Sequence, residues 1–181
     1  MGIVTLAAAK KQLNIDATDT SDDLELQLYI DAVTTPVERE LGKVVEQRTI
    51  VDELDCGSGT TQFMLRSVPA VSLTSIAAVD GSATWSVDPA VMHLNGSNGR
   101  VTVLSGLPLS GPVAITYVAG DAIVPANVQL AALIIVQHLW ETQRGRGGMV
   151  AGGGGEFTMP AGYALPNRAC ELLGTQLPGI A

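Results

Sequence analysis

The spacing of apolar and polar positions along the chain changes character three times. From Thr5 to Asn14, Leu6, Ala9 and Leu13 recur at helical spacing, with Thr5 placed to cap the first turn. Asp16–Ser21 is polar and reads as a loop. A longer helix is predicted from about Asp22 to Leu41, capped by Ser21, with Asp22, Asp23 and Glu25 at the positive end of its dipole. Leu24, Leu28, Val33, Val37 and Leu41 form its expected apolar stripe. Pro36 removes one helical hydrogen bond, so a kink or restart is expected there, and Gly42 is the expected stop.

From about Val44 the period becomes two. Ile50, Asp52 and Leu54 oppose Thr49, Val51 and Glu53. Further short strands are predicted at 62–66, 71–79, 84–87, 91–94, 100–104 and 113–118. Asp80-Gly81 is a hairpin signal, because glycine accepts positive φ without strain. Asn95-Gly96-Ser97-Asn98-Gly99 reads as a second turn, and Pro69, Pro108 and Pro112 punctuate the rest. Short strands so closely spaced point to a small antiparallel sandwich or barrel.

The helical period returns from about Pro125 to Arg144. Proline in a first turn costs no hydrogen bond, since that N–H has no helical partner. Leu130–Val136 is apolar around nearly the whole circumference, which predicts burial on all sides, by the chain itself or by neighbours. Residues 145–155 are then dominated by glycine, so that ordering them is entropically expensive and flexibility is expected. A last short helix is predicted over about Pro166–Leu173. The expected fold class is therefore α+β. Two N-terminal helices (1–43) and a long apolar helix (121–144) form a small bundle. A β domain (44–120) is inserted between them. A glycine-rich segment (145–155) and a tail with a short helix (156–181) follow.

Composition sharpens this picture. Only 15% of the 181 residues are charged, mean hydropathy is +0.30 and the formal net charge is −8. A soluble domain averages about 25% charged residues. The acidity is local: residues 1–55 hold twelve acids against five bases, and the remainder six against five. An acidic chain repels the phosphate backbone, and no stretch interleaves bases with aromatics, which argues against a nucleic-acid platform. The longest apolar run, Leu130–Val136, is far short of a bilayer span, and no basic start precedes an apolar core at the N-terminus. No membrane association is expected.

Catalytic constellations are sparse. His93 and His138 lie on different elements, without a second ligand at metal spacing, so neither metal nor cofactor is expected. Cys56 and Cys170 form no Cys-x-x-Cys pair and read as packing residues. The glycine run lacks the Gly-Lys-Ser/Thr of a phosphate loop, and there is no Gly-x-Ser-x-Gly elbow. Asp52 could be one half of an acid/base pair, but the sequence identifies no partner. Trp140 and Tyr117 read as core aromatics, with interface anchoring as the alternative. No enzyme activity is expected.

The order of motifs resembles a known family. Thr5-Leu-Ala-Ala-Ala-Lys-Lys-Gln-Leu-Asn-Ile-Asp16 is followed by Asp22-Asp23-Leu24 and a helix to Glu38-Arg39-Glu40-Leu41-Gly42. Tyr117-Val118-Ala119-Gly120, Val124-Pro125-Ala126-Asn127-Val128 and His138-Leu139-Trp140-Glu141 come next. Leu165-Pro166-Asn167-Arg168-Ala169 with Leu172-Leu173 closes the series. Together these resemble head–tail connector (adaptor) proteins of long-tailed double-stranded DNA phages and gene transfer agents. The resemblance implies a virion protein of the neck, assembled in the host cytoplasm into a ring, usually twelvefold, beneath the portal. Its implied partners are the portal protein, a head-closure or other neck protein, copies of itself, and double-stranded DNA that passes without specific binding. A C-terminal segment is implied to reach the portal, which makes Arg144, Arg146, Phe157, Tyr163, Leu165, Pro166, Arg168, Leu172 and Leu173 docking candidates. Deleting Gly145–Ala181 is then expected to leave a folded domain that no longer docks. Asp16, Asp19, Asp22, Asp23 and Glu25 form an acidic face that could approach the DNA channel. Another neck component, or less plausibly a DNA-binding accessory protein, is the alternative.

Overall fold

The computed structural model describes residues 2–79, 86–106, 108–143 and 165–174. Its first helix, α1 (Leu6–Leu13), begins where the Thr5 hydroxyl accepts from the Ala8 N–H at 3.2 Å. It ends at Asn14, whose φ of 57° is the left-handed conformation that closes a helix. The second helix, α2 (Asp23–Leu41), is preceded by Asp22, which makes no side-chain cap. Ser21 does not serve as the cap, because its N–H and hydroxyl both donate to Asp19 Oδ1, at 3.0 and 2.6 Å. Helix α2 runs through Pro36 as one element. The carbonyl that Pro36 leaves unpaired belongs to Ala32, an exposed residue, where water can bond it. Gly42 stops the helix at φ 64°.

The buried face of α2 corrects the expected stripe. Leu26, Ile30, Val33 and Val37 are buried, whereas Leu24 is 91% and Leu28 65% exposed. Two apolar series share this helix, and the series containing Ile30 is the one that meets the core. A third helix, α3 (Ala126–Gln143), packs against α1, α2 and a last helix, α4 (Asn167–Leu173). Helix α3 is not covered on all sides by its own chain. Val128, Ala131, Ala132, Ile135 and Val136 are buried, while Leu130 is 44% exposed and His138 is exposed.

The described residues before Lys43 and after Ile123 form one compact unit, and Lys43–Ile123 forms a second. In the second unit, β1 (Arg48–Thr60), β3 (Ala70–Ala78), β4 (Ser86–Val87) and β7 (Leu109–Ala119) make an antiparallel sheet in the order β1-β7-β3-β4. A smaller antiparallel sheet holds β2 (Gln62–Met64), β6 (Arg100–Val103) and β5 (Met92–Asn95), in the order β2-β6-β5. Neither sheet closes on itself, so the barrel alternative is corrected. Residues of both sheets share one core, including Cys56, Ile76, Met92, Val101, Val113, Ile115 and Tyr117. The alternation expected in β1 is present: Asp52 and Cys56 are buried, and Val51, Glu53 and Asp55 are exposed.

Asn95 pairs with Arg100 across the expected second turn. Gly96 in that turn lies so close to Ala70 that a Cβ would collide with its carbonyl oxygen, and the Ala70 N–H donates to the Gly96 carbonyl at 2.8 Å. The Asp80-Gly81 hairpin signal lies outside the described residues, although Ile76 pairs with Val87 on its flanks. The two ends of this unit lie side by side. Asp121 donates its N–H to the Val45 carbonyl at 3.0 Å, bridges Glu46 in parallel and pairs with Lys43 Nζ at 3.3 Å. Gly120, at φ 106°, allows this approach, since a Cβ there would sit 2.5 Å from the Glu46 carbonyl oxygen.

Candidate functional site

The acidic segment before α2 is built by its own hydrogen bonds. Asp16 Oδ1 accepts from the Thr18 N–H at 2.8 Å and the Thr18 hydroxyl at 2.7 Å. Asp19 accepts from Ser21 in the same way. These bonds favour the ionised carboxylates and hold both below the ordinary aspartate range. Lys10 projects from α1 beneath the loop and is buried. Its ammonium donates to the Asp19 carbonyl at 2.7 Å and pairs with Asp23 Oδ1 at 2.5 Å, an ion pair that lacks hydrogen-bond geometry. Glu25 Oε1 accepts from the Tyr29 hydroxyl at 2.6 Å. The predicted acidic residues therefore lie along one segment, and Asp16 and Asp19 also shape the loop. Nothing in their spacing pointed to Lys10 as the group that ties them to α1.

Of the predicted docking residues, Arg144, Arg146, Phe157 and Tyr163 lie outside the described residues. Leu165, Pro166, Arg168, Leu172 and Leu173 belong to α4 and its lead-in. Arg168 is exposed, Leu165, Pro166 and Leu172 are half-buried, and Leu173 is buried with Ala169 and Cys170. Helix α4 is fastened to α3 by Asn127, whose amide donates to the Leu172 carbonyl at 2.9 Å. That bond gives a physical reason for an asparagine after Val124-Pro125-Ala126. It also revises the expectation that residues 145–181 can be removed without harm to the fold, because α4 supplies part of the core of the helical unit.

Among the described residues, the helical unit carries at least two concave surfaces. One, of about 320 Å³, is lined by Leu130, Ile134 and His138 of α3, Pro166 and Arg168 at α4, and Gln12 of α1. The Gln12 amide donates to Gln137 Oε1 at 2.8 Å, and the Gln137 amide donates to Glu141 Oε1 at 2.8 Å. The other, of about 500 Å³, runs along α2 past Leu28, Ala32 and Pro36 to Leu139. Beside it Tyr29 and Trp140 meet edge to face, with ring centroids 6.3 Å apart.

In the β unit, Asp52 has the partner the sequence did not reveal. Its Oδ2 accepts from the Tyr117 hydroxyl at 2.7 Å and from the Arg66 N–H at 3.0 Å. Tyr117 in turn accepts from the Ser67 N–H at 3.1 Å. Burial, then the neighbouring Asp52, pushes the phenol above the ordinary tyrosine range, so it keeps its proton and donates. Tyr117 is completely buried and Asp52 nearly so. The arrangement fixes the Arg66–Ser67 backbone and presents no reacting group to a surface. A depression of about 590 Å³ in this unit, beside Ser86, Val87, Asp88 and Leu109, offers one titratable group among its lining residues. That group, Asp88, accepts from the Ala90 N–H at 2.9 Å. Cys56 and Cys170 are buried thiols, and burial raises that of Cys56. His93 and His138 are exposed and lie on β5 and α3. Among the described residues, no group of three or more His, Cys, Asp or Glu is placed to hold a metal ion, and no helix is long and apolar enough to cross a membrane.

A family model described as "Head completion protein" matches residues 2–175. The chain belongs to the head completion protein family. This membership bears out the head–tail connector resemblance. The fold is also similar to chains in three particle structures, each at low identity. One is "Neck of empty GTA particle computed with C6 symmetry", at 19% identity and TM-score 0.66, covering 98% of this chain and 93% of that one. A second is "Virion of native gene transfer agent (GTA) particle", at 20% identity and TM-score 0.68, with the same coverage. The third is "Neck of native GTA particle computed with C12 symmetry", at 21% identity and TM-score 0.59, covering 96% and 92%. No curated protein matches the chain.

Proposed function

We propose that this chain is a structural subunit of the neck of a phage-like particle. It forms a twelvefold ring beneath the portal, extends the DNA channel and receives the next neck protein. The observation that carries this reading is membership of the head completion family over residues 2–175, joined to a fold shared over nearly the whole chain with chains of gene transfer agent necks. The surface chemistry supports it. Charge is scarce outside the first 55 residues, as suits a subunit covered by neighbours at its sides and ends.

The portal contact is assigned to the C-terminal segment, with Arg168 on α4 and Arg144, Arg146, Phe157 and Tyr163 before it. Leu173 acts there by holding α4 on α3. Asp16, Asp19, Asp22 and Glu25 face passing DNA with like charge, which lowers its adhesion to the wall. Cryo-electron microscopy of particles carrying this chain tests the reading. The expected map shows a closed ring of this chain in contact with the portal. A particle whose neck lacks the chain overturns the proposal, and a ring that touches only the tail side reassigns it to head closure.

A further inference from the structure

The outer face of the small sheet is unlike the rest of this acidic chain. Phe63, Val101 and Leu94 are neighbours across β2, β6 and β5 and pack on the core. Strand alternation therefore turns Gln62 and Met64, Thr102 and Arg100, and His93 and Asn95 outward. All but the half-buried Thr102 are exposed. No acid stands on these three strands or in the turn 95–99 that joins β5 to β6. Arg66, two residues after Met64, is exposed as well, and its guanidinium donates to the Glu53 carbonyl at 3.4 Å. The amide acceptors of this face are already used. Gln62 Oε1 accepts from the Arg100 guanidinium, Asn95 Oδ1 from the Ser97 hydroxyl at 2.8 Å, and Asn98 Oδ1 from the Arg100 N–H at 3.0 Å. What these groups still offer is donors: the amide NH2 of Gln62, Asn95 and Asn98, and the remaining N–H groups of Arg66 and Arg100.

We infer that this face takes phosphate oxygens of duplex DNA, without reading base sequence. It rests on the neck reading only for the presence of that DNA. Donors without free amide acceptors fit an anion that only accepts, and arginine, asparagine and glutamine are side chains that hold phosphates. A protein partner needs an apolar centre to its contact, and Met64 is the one large apolar side chain that these strands turn outward. The attraction is therefore ionic and polar. Two guanidiniums per copy make it weak and sensitive to salt. Repeated around a ring, such contacts add up while each stays easy to break. The acidic segment before α2 acts in the opposite sense, by repulsion.

The test is nuclear magnetic resonance of the full, nitrogen-15-labelled chain, titrated at low salt with a short DNA duplex. Shifts are expected in the side-chain amides of Gln62, Asn95 and Asn98 and in the Nε–H of Arg66 and Arg100, whatever the duplex sequence. They are expected to fade as salt is raised. Arg100→Gln replaces an exposed side chain, so it is expected to fold, and a melting curve checks this. It is expected to weaken the titration severalfold and to lower its salt slope by about 0.9. Arg39→Gln removes the same charge from α2 and is expected to leave the titration unchanged. Equal weakening by Arg39→Gln would mean that net charge and not this face attracts DNA, and would overturn the inference. So would the absence of these shifts at millimolar duplex. The same shifts produced by polyglutamate at lower concentration than by duplex would also overturn it, in favour of an acidic protein. A chain present in the neck without these shifts removes the phosphate face alone. A chain that shows them but is missing from the neck removes the neck reading and leaves the face standing.

Discussion

The two units of this chain satisfy themselves to different degrees. The β unit ties distant parts of the sequence together through buried hydrogen bonds. Asp52, Arg66, Ser67 and Tyr117 make one network around a shared core. Its exposed large apolar residues, such as Val51, Met64, Val71 and Leu104, are spread over separate strands and loops. The helical unit instead leaves two leucines one turn apart on α2, and a groove on α3 where Leu130 and Ile134 lie among Gln137, His138 and Glu141. Singly exposed apolar residues are ordinary, while contiguous ones mark contact surfaces. Among the described residues, the β unit is held by long-range buried bonds, while the helical unit keeps adjacent leucines uncovered.

Four changes would break or sharpen this contrast. The largest effect is expected from deleting residues 166–181. The helical unit loses buried Ala169, Cys170 and Leu173. The expected loss exceeds about 5 kcal/mol, the top of the range for truncating one core leucine. Thermal unfolding with hydrogen exchange would then show the helical amides unprotected while those of β7 stay protected. Equal loss in both units would mean that they do not fold separately.

Tyr117→Phe should act in the other unit. It removes one of the two hydrogen bonds to Asp52 Oδ2 and strands the Ser67 N–H, and about 2–3 kcal/mol is expected in urea unfolding. The same residue gives a pH signature. Its folded pKa is raised, so its contribution is intact below the ordinary tyrosine value of about 10 and is lost as pH rises through and above it. The unfolded chain releases that proton first. An alkaline loss of the same size in Tyr117→Phe would show that other groups cause it.

Lys10→Met should cost about 1–2 kcal/mol, less than a fully buried pair, because Asp23 remains one-quarter exposed. The expected sign is loosened α1 and loop amides by hydrogen exchange, with the β unit unchanged. Leu24→Ser should change stability by less than about 0.5 kcal/mol, as for other exposed positions. A drop of 2 kcal/mol would mean that the side chain packs on its own molecule in solution.

What could be read from the sequence was mostly local. Thr5, Gly42 and the Asn95–Gly99 turn act on neighbours within a few residues, and each does what its chemistry predicts. The strand alternation around Asp52 was equally legible. The Ser21 cap is a local miss, since Asp19 takes its N–H and hydroxyl, and the other errors turn on packing. On α2, Leu24 and Leu28 keep helical spacing as well as Leu26 and Ile30 do, and spacing alone does not say which series faces the core. Only packing against α3 decides. Tyr117 and Asp52 are 65 positions apart, and nothing local announces their bond. Within the acidic segment, the residues were found but not the lysine beneath them, because a buried amine on a neighbouring helix leaves no trace in acid spacing.

The pairing of Lys43, Val45 and Glu46 with Gly120 and Asp121 has a consequence for the history of such chains. Where the β unit begins and where it ends are clasped together by Asp121, so the unit is a closed excursion from the helical scaffold. Closing a loop costs only logarithmically with length, and a clasped loop presents its host with two adjacent ends whatever it contains. A change of length inside such a module leaves the two ends that join the helices adjacent.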